Sequence, residues 1–278
     1  QPELTRVLFL DGRMVASVTI YDRWVYVADG RRARVGSIGS VCTHPDFRRR
    51  GLVKQVLEEA IVWMQAQGFH WSSLFGREAV YNGSGWTLLS SFTCTADLLP
   101  RPELGQSLTA RPARPDDLAL LMALYDQFNA HLTGPVVRNA DYWRRCLLPG
   151  RWGHPPVYHL LEADGTPLAY FLGDDGNLRE LAWVARGAEV IAWLLRRWAG
   201  QPVHFPLATA DLIRCLRQAS VVHRGDECRG GLSLPETYKG LWRYIGPGRG
   251  EFPEIADTDS MKRFLRDNEY TYWGADSY

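Results

Sequence analysis

Residues 39–68 read GSVCTHPDFRRRGLVKQVLEEAIVWMQAQG, and this stretch constrains the fold more than any other part of the chain. An apolar strand pattern ends near Pro45, three arginines and a glycine follow, and apolar residues then recur at helical spacing up to Gly68. A helix N-terminus already carries partial positive charge, so three adjacent arginines there are unfavourable unless an anion is bound. The stretch therefore predicts a strand, a turn with an anion site, and a helix.

The turn itself has the composition of a pyrophosphate site. The first amides of a helix have no intrahelical acceptor, and Gly51 lets a ligand approach the backbone closely. Arg48, Arg49 and Arg50 can add charge-assisted hydrogen bonds. The chain lacks the G-x-x-x-x-G-K-[ST] loop of nucleotide triphosphatases and the G-x-G-x-x-G fingerprint of dinucleotide-binding folds.

The elements around this turn predict an α+β unit. Asp11-Gly12 is a hairpin signal between apolar runs, and the helix after Gly51 is followed by further strand patterns. The predicted strands are Val7–Leu10, Met14–Tyr21, Ser37–Thr43 and Trp71–Phe75, with a last strand pair between Trp86 and Leu99.

A second copy of the pattern follows a junction rich in arginine, proline and glycine at residues 100–115. Two helices precede a hairpin about Asp164-Gly165, and a strand, a helix, a strand and a last helix come next. We therefore expect tandem units, each a central mixed, mostly antiparallel sheet flanked by helices. The expected boundaries are residues 1–100, residues 108–247 and a short C-terminal tail at 248–278.

The two copies differ in what precedes the hairpin. The second copy has about 45 residues of strand and helices there, and the first has about five. We therefore expect an N-terminal strand and one or two helices to be missing before Gln1.

Two ordered motifs resemble the GNAT N-acetyltransferase superfamily. Residues 41–52, VCTHPDFRRRGL, resemble its acetyl-coenzyme A signature, a strand ending in V-x-x-x-P-x-x-R followed by R/Q-x-x-G-x-G/A. Residues 81–86, YNGSGW, resemble the family's Y-x-x-x-G-F. The tandem layout and the phrases VGSIGSVCTHPDFRRRGL and SSLFGREAVYNGSGW are most similar to the enhanced intracellular survival group. Val53 departs from the glycine or alanine of the general pattern, but that group tends to carry a bulky aliphatic residue there.

The resemblance implies a function and a set of site residues. It implies direct transfer of the acetyl group of acetyl-coenzyme A to a primary amine of a small molecule. It implies that Tyr81 is the general acid for the departing thiolate, whereas the alternative is an aromatic side chain that packs the sheet edge. The implied coenzyme-binding residues are Val41 and Thr43 for the pantetheine, and Arg48, Arg49, Arg50, Gly51, Leu52 and Val53 at the pyrophosphate.

The resemblance also bears on the chain's end and on its second copy. In the enhanced intracellular survival group the C-terminal carboxylate of an aromatic residue is the general base, which implies that role for Tyr278, with Tyr270, Tyr272 and Trp273 as anchors. Larger members end in a sterol-carrier-like domain, and only about 30 residues follow Ile245 here, so we expect that domain to be missing or reduced. The second copy has no arginine cluster near Arg186-Gly187, so we expect it to bind no coenzyme and to help line the acceptor pocket.

Composition narrows the alternatives. Thirty-two basic and 31 acidic residues give a net charge of +1, which disfavours nucleic acid and anionic membranes as partners. The five cysteines and the histidines have no metal-ligand spacing, so we expect no metal and read the cysteines as reduced thiols in the cytoplasm. The rival hypotheses are an inactive acyl-coenzyme A-binding sensor or scaffold and a nucleic-acid binder that uses the arginine cluster. The identity of the acceptor amine and homo-oligomerisation stay open.

Overall fold

The computed structural model describes residues 4–150, 154–221, 231–248, 250–271, 273 and 276. Within these residues the chain forms both strands and helices. The strands are β1 (Thr5–Leu10), β2 (Arg13–Tyr26), β3 (Arg32–Thr43), β4 (Trp71–Leu74), β5 (Thr87–Phe92), β6 (Cys94–Ala96), β7 (Leu108–Pro112), β8 (His159–Ala163), β9 (Thr166–Asp174), β10 (Asn177–Trp183), β11 (Val203–Phe205), β12 (Leu232–Ser233) and β13 (Glu236–Tyr244). The helices are α1 (Leu52–Ala66), α2 (Glu78–Tyr81), α3 (Leu118–Asn129), α4 (Ala140–Tyr142), α5 (Gly187–Arg197), α6 (Ala210–Ala219) and α7 (Thr258–Asp267).

The chain forms two compact units that are not contiguous in sequence. Unit 1 combines residues up to Ser91 with residues 238–270, and unit 2 combines residues 92–237 with residues 271–277. The expected boundaries at residues 100, 108 and 247 differ from this division. The reason is that β6 joins the sheet of unit 2, whereas β13 and α7 join unit 1.

Unit 1 is built on a six-stranded mixed sheet in the order β1-β2-β3-β4-β13-β5. β1 pairs with β2 and β2 with β3 in antiparallel fashion, while β3 and β4 are parallel and are linked through α1. The hairpin predicted at Asp11-Gly12 is confirmed, with both residues in the left-handed region at φ 49° and 74°.

Helix α1 follows the predicted apolar spacing and covers this sheet. Its buried residues, spaced three or four apart, enter the core of unit 1, and these are Leu52, Val56, Leu57, Ala60, Ile61 and Met64. Gly36 on β3 allows the helix to approach, because a Cβ there would collide with the sulfur of Met64. The helix is followed by Gly68 at φ 73°, the conformation expected of a C-terminal capping glycine.

Unit 2 is built on a seven-stranded sheet in the order β12-β6-β11-β10-β9-β8-β7. The segment β8-β9-β10-α5-β11 repeats the order of β1-β2-β3-α1-β4, which confirms the predicted tandem α+β units. Helix α3 packs against β9 and β10, and α5 packs against α6. The predicted strand pair between Trp86 and Leu99 is wrong, because β5 lies in the sheet of unit 1 and β6 pairs with β11 and β12.

Candidate active site

The turn between β3 and α1 has an irregular backbone. His44 opens a short 3-10 turn at Pro45–Phe47, and Arg49 and Gly51 then take left-handed conformations at φ 61° and 72°. A non-glycine residue with positive φ is uncommon, so Arg49 marks a turn whose shape is imposed by its surroundings. Alternation of left-handed residues with ordinary ones turns successive amides toward one concavity.

The amides of this turn are not used by the protein. Within the described chain, the N–H groups of residues 49–54 have no hydrogen-bond acceptor, and Gln55 is the first to bond back, to the carbonyl of Gly51 at 3.3 Å. Helix α1 has neither a side-chain cap nor an acidic residue in its first turn. A run of free amides at the positive end of a 15-residue helix is an anion-binding arrangement.

Two of the three arginines add uncompensated charge to the turn. Arg48 and Arg49 are exposed and form no ion pair with any residue that the structure describes. Arg50 is partly engaged, because it donates to the carbonyl of Asp46 at 3.1 Å and lies 4.9 Å from the centre of the Phe47 ring. The positive field at this helix end is therefore left for a ligand to neutralise.

The remaining residues predicted to bind the coenzyme at the turn, Gly51, Leu52 and Val53, offer a ligand their backbone and not their side chains. A Cβ on Gly51 would meet no atom within 4 Å, so the space above this residue is open. The side chain of Leu52 is buried in the core of unit 1, and that of Val53 packs against the same core. Leu52 and Val53 can therefore contact a ligand in the turn only through their backbone amides.

Strand β3 separates from β4 near this turn. The parallel pairing runs from Val35–Trp71 to Ile38–Leu74, and β3 continues to Thr43 paired only with β2 among the described strands. His44 donates its amide to Val15 on β2 at 2.8 Å. Because successive strand residues direct their backbone groups to opposite sides, Val41 and Thr43 direct theirs away from β2, toward the gap. A ligand chain extended along the gap could form strand-like hydrogen bonds there.

Tyr81 ends the short helix α2, which follows β4. Its ring is half-buried, packs against the core of unit 1 and lies against the backbone of Gly76. Burial, followed by the proximity of Tyr238, raises the pKa of the Tyr81 phenol. The phenol is therefore held in its protonated form at neutral pH, and the ring also packs the sheet edge, as the alternative interpretation expected.

The equivalent turn of unit 2 differs in charge and in space. Arg186 is left-handed at φ 54°, but its guanidinium is paired with Glu189 in the first turn of α5 and donates to Ser107 at 3.0 Å. A Cβ on Gly187 would lie 2.6 Å from the indole nitrogen of Trp183 and 2.9 Å from the sulfur of Cys215. This turn is thus neutralised and filled by its own side chains.

The predicted anchors of the tail lie in different units. Tyr270 is buried in unit 1, where its ring meets Trp242 edge-on at 5.2 Å and its carbonyl accepts from Ser91 at 2.7 Å. Trp273 is buried in unit 2 and donates from its indole to Asn129 at 2.6 Å. Tyr272 and Tyr278, the predicted base, lie outside the described residues.

Sequence reasoning missed Gly76 and Tyr238 as neighbours of Tyr81. Tyr238 lies on β13, more than 150 residues further along the chain, and its hydroxyl bonds to the backbone of Gly76. The signal in the sequence is the stretch LWRYI from Leu241 to Ile245, whose aliphatic and aromatic residues favour a strand but do not say where it pairs.

The described part of the chain holds neither a candidate metal site nor a candidate membrane-spanning helix. No three histidine, cysteine or acidic side chains there are grouped as a metal site would require. None of the described helices combines the length and hydropathy needed to cross a membrane. Cys42, Cys94, Cys146 and Cys215 are free thiols, and Cys228 lies outside the described residues.

Comparison with known families supports the resemblance for the first unit. Residues 1–89 match the acetyltransferase (GNAT) domain family. This stretch holds both motifs on which the resemblance rests. No curated protein matches the sequence.

Solved structures share the fold over most of the chain. A GCN5-related N-acetyltransferase from Anabaena variabilis aligns with a TM-score of 0.62 and 14% identity, covering 88% of this chain and 64% of its own. A conserved protein from Enterococcus faecalis, described as a probable N-acyltransferase, aligns at 0.64 and 15%, with coverages of 87% and 62%. Eis1 from Mycobacterium abscessus aligns at 0.63 and 18%, with coverages of 88% and 66%. At these identities the likeness concerns the fold, and the chain spans less than two thirds of each of these proteins.

Proposed function

From the match of residues 1–89 to the GNAT acetyltransferase domain, we propose that the protein transfers an acetyl group from acetyl-coenzyme A to a primary amine of a small molecule. The observation that carries the proposal is the turn before α1, where free amides and two unpaired arginines surround an open glycine. A pyrophosphate supplies the negative charge and the acceptor oxygens that this turn lacks.

The donor would occupy unit 1 alone. The pyrophosphate would accept from the amides of residues 49–53, with Arg48, Arg49 and Arg50 adding charge around it. The pantetheine would run along β3 and pair with the backbone of Val41 and Thr43 in the gap beside β4. The neutralised, filled turn at Arg186-Gly187 supports a single donor site.

The reaction would proceed by direct attack. The neutral amine would form a bond to the thioester carbonyl carbon, and collapse of the tetrahedral intermediate would break the carbon–sulfur bond. The departing thiolate would take the phenolic proton of Tyr81, and the amine nitrogen would lose a proton to a base. The usual pKa values of a phenol, about 10, and of a thiol, about 8.5, are close enough that a phenol within hydrogen-bond reach can protonate the departing thiolate.

The base would be the α-carboxylate of Tyr278, where that residue is the last of the protein. The resemblance to the enhanced intracellular survival group supports this assignment. Burial of a carboxylate raises its pKa and makes it a better base. Extending the chain by one residue would displace this group, so that variant is an arm of the assay below.

Thiol release from acetyl-coenzyme A, followed with a panel of amines, tests the proposal. We expect turnover by the wild-type protein and a loss of kcat of about 10²-fold in Tyr81→Phe, with coenzyme affinity unchanged. Because Tyr81 acts as an acid, wild-type kcat should fall as pH rises through its pKa, which burial places above the usual value near 10. Tyr81→Phe should lack this alkaline fall, and the extended chain should bind coenzyme without turnover.

Three outcomes would contradict the proposal. Coenzyme binding without thiol release for any amine would favour the inactive sensor or scaffold. Salt-sensitive binding to nucleic acid, with no affinity for coenzyme, would favour the nucleic-acid binder. Full activity of Tyr81→Phe would show that Tyr81 packs the sheet edge and is not the general acid.

A further inference from the structure

Strand β13 brings a second phenol to the end of β4, where Tyr81 lies. We propose that Tyr238 is a positioning residue that holds the Gly76 peptide in place and thereby fixes the ring of Tyr81 for proton transfer. This inference rests on the proposed function, because it concerns the orientation of the proposed general acid. Nothing in the sequence motifs points to Tyr238.

The first step of the argument is the contact between Tyr238 and Gly76. The Tyr238 hydroxyl donates to the Gly76 carbonyl at 3.1 Å, and the Gly76 amide donates to the same hydroxyl at 3.5 Å. The side chain thus binds both polar groups of one residue. The Tyr238 ring also meets Phe75 edge-on at 6.1 Å, which fixes the direction of the phenol.

The second step is the backbone that delivers the phenol. β13 pairs antiparallel with β4 from Leu241 opposite Leu74 onward, so Tyr238 lies just past the end of β4. Gly240 has φ 101°, and a Cβ there would lie 2.9 Å from the Leu74 carbonyl oxygen. The close approach of the two strands therefore depends on glycine at this position and places the Tyr238 hydroxyl over the next peptide of the chain.

The third step links Gly76 to Tyr81. A Cβ on Gly76 would lie 2.6 Å from Cε2 and 3.3 Å from Cδ2 of Tyr81. The ring therefore rests against the bare backbone of Gly76, and a shift of this peptide would move the ring. Gly76, two residues after β4, is therefore in contact with both Tyr81 and Tyr238.

The proximity of Tyr238 also affects the pKa of the Tyr81 phenol. Burial is the larger cause of the raised pKa of Tyr81, and Tyr238 is the second; no other titratable group in the described residues contributes. Loss of the Tyr238 phenol should therefore lower the pKa of Tyr81. A residue with a purely structural role would leave this pKa unchanged.

Tyr238→Phe tests the proposal in the full chain, because it removes the hydroxyl and keeps the ring on Phe75. We expect kcat to fall about ten-fold from misplacement of Tyr81, with the KM for acetyl-coenzyme A and the affinity for coenzyme A unchanged. The alkaline fall of kcat should shift to lower pH. Tyr244→Phe is the matched control, since it removes a hydroxyl from the same strand without contacting Gly76, and it should behave as wild type.

Gly76→Ala provides a second, independent variant. The added methyl group should push the Tyr81 ring aside and lower kcat as Tyr238→Phe does, again without a change in coenzyme affinity. Unchanged kcat and an unchanged pH profile in Tyr238→Phe, together with a loss in Tyr81→Phe, would overturn this inference and leave the proposed function intact. Full activity in Tyr81→Phe would instead overturn the catalytic role on which the inference rests.

Discussion

Helix α1 is flanked by two glycines in the same left-handed conformation. Gly51 precedes the helix at φ 72° and Gly68 follows it at φ 73°, and a Cβ on either would meet no atom within 4 Å. Packing therefore does not distinguish them. Only Gly51 lies among free amides, so only Gly51 has a reason to stay bare for a ligand.

This pair of glycines gives a prediction with a built-in control. Gly51→Ala and Gly68→Ala should each lower the free energy of unfolding by about 1–2 kcal/mol, because alanine is strained at positive φ. Gly51→Ala should also lower the affinity for coenzyme A by at least about ten-fold, since the methyl group intrudes on the turn. Calorimetric titration with coenzyme A, together with thermal unfolding, measures both effects. Equal coenzyme affinities in the two variants would contradict the assignment of the turn.

For individual residues, the sequence allowed predictions only where the relevant residues are close together along the chain. The prediction of the turn at residues 48–53 and that of Tyr81 each rest on one short, contiguous motif. The contact between Gly76 and Tyr238 could not be predicted, because it depends on which strand lies beside β4. The filling of the second turn by Trp183 and Cys215 is likewise set by tertiary packing that spacing does not report.

Among the elements of unit 2, a buried ion network joins Arg138 to Asp276, which follows α7 in the sequence. Arg138 has no exposed side-chain surface and bonds two carboxylates, Glu180 at 2.7 Å and Asp276 at 2.9 Å. The guanidinium lies 4.0 Å from the centre of the Tyr125 ring, and Tyr142 donates to Asp276 at 3.1 Å. Burial acts to lower the pKa of Arg138, but the two neighbouring carboxylates raise it well above its usual value, so the guanidinium stays charged.

Removal of Arg138 should therefore be costly. Arg138→Met would leave Glu180 and Asp276 buried without a cation, and we expect a loss of about 3–5 kcal/mol in the free energy of unfolding. Denaturant unfolding at neutral pH measures this. Substituting both carboxylates as well, Glu180→Gln and Asp276→Asn, should recover part of the loss.

Unit 2 offers a matched control for this network. Arg111 also lies between two carboxylates, Asp117 and Glu162, but it is partly exposed to water. Arg111→Met should cost much less, because solvent screens exposed ion pairs. If Arg111→Met lowered the free energy of unfolding as much as Arg138→Met does, burial would not be the reason for the large effect at Arg138.

The elements were predictable where periodicity is strong and local. Helices α1, α5 and α6 occur in the order predicted from the sequence, because each has an apolar stripe at helical spacing. The partners of β6 and β13 were not predictable, since the sequence of a short strand does not specify which strand lies beside it. The Arg138 network joins residues more than 130 positions apart, so no local sequence pattern predicts it.

At the scale of the whole molecule, unit 1 is completed by a strand from late in the chain. β13 lies between β4 and β5 and contributes Leu241 to the core of unit 1, and Ile245, directly after the strand, enters the same core. Each buried aliphatic side chain contributes roughly 1.5–3 kcal/mol, against a total stability of about 5–15 kcal/mol for a domain. Without β13, the facing edges of β4 and β5 would also be unpaired.

Residues 1–100 alone should therefore fail to fold cooperatively. A chain that keeps residues 1–93 and 235–270, joined by a short Asn-Gly turn, should fold, because Thr93 already donates to the Pro235 carbonyl at 3.1 Å. Thermal unfolding followed by circular dichroism compares the two. A sharp transition for residues 1–100, or none for the joined chain, would contradict the importance of β13 for unit 1.

The position of β13 also sets an order of events during protein synthesis. About 150 residues separate Ser91 from the strand that must enter the sheet beside β4. At a translation rate of about 5–20 residues per second, the ribosome needs roughly 7–30 s to make them. During that interval the nascent first sheet has an open centre and an exposed apolar face, which is the kind of surface that chaperones bind. Newly made chains should therefore depend on chaperones before unit 1 closes, and a slower ribosome should lengthen that dependence.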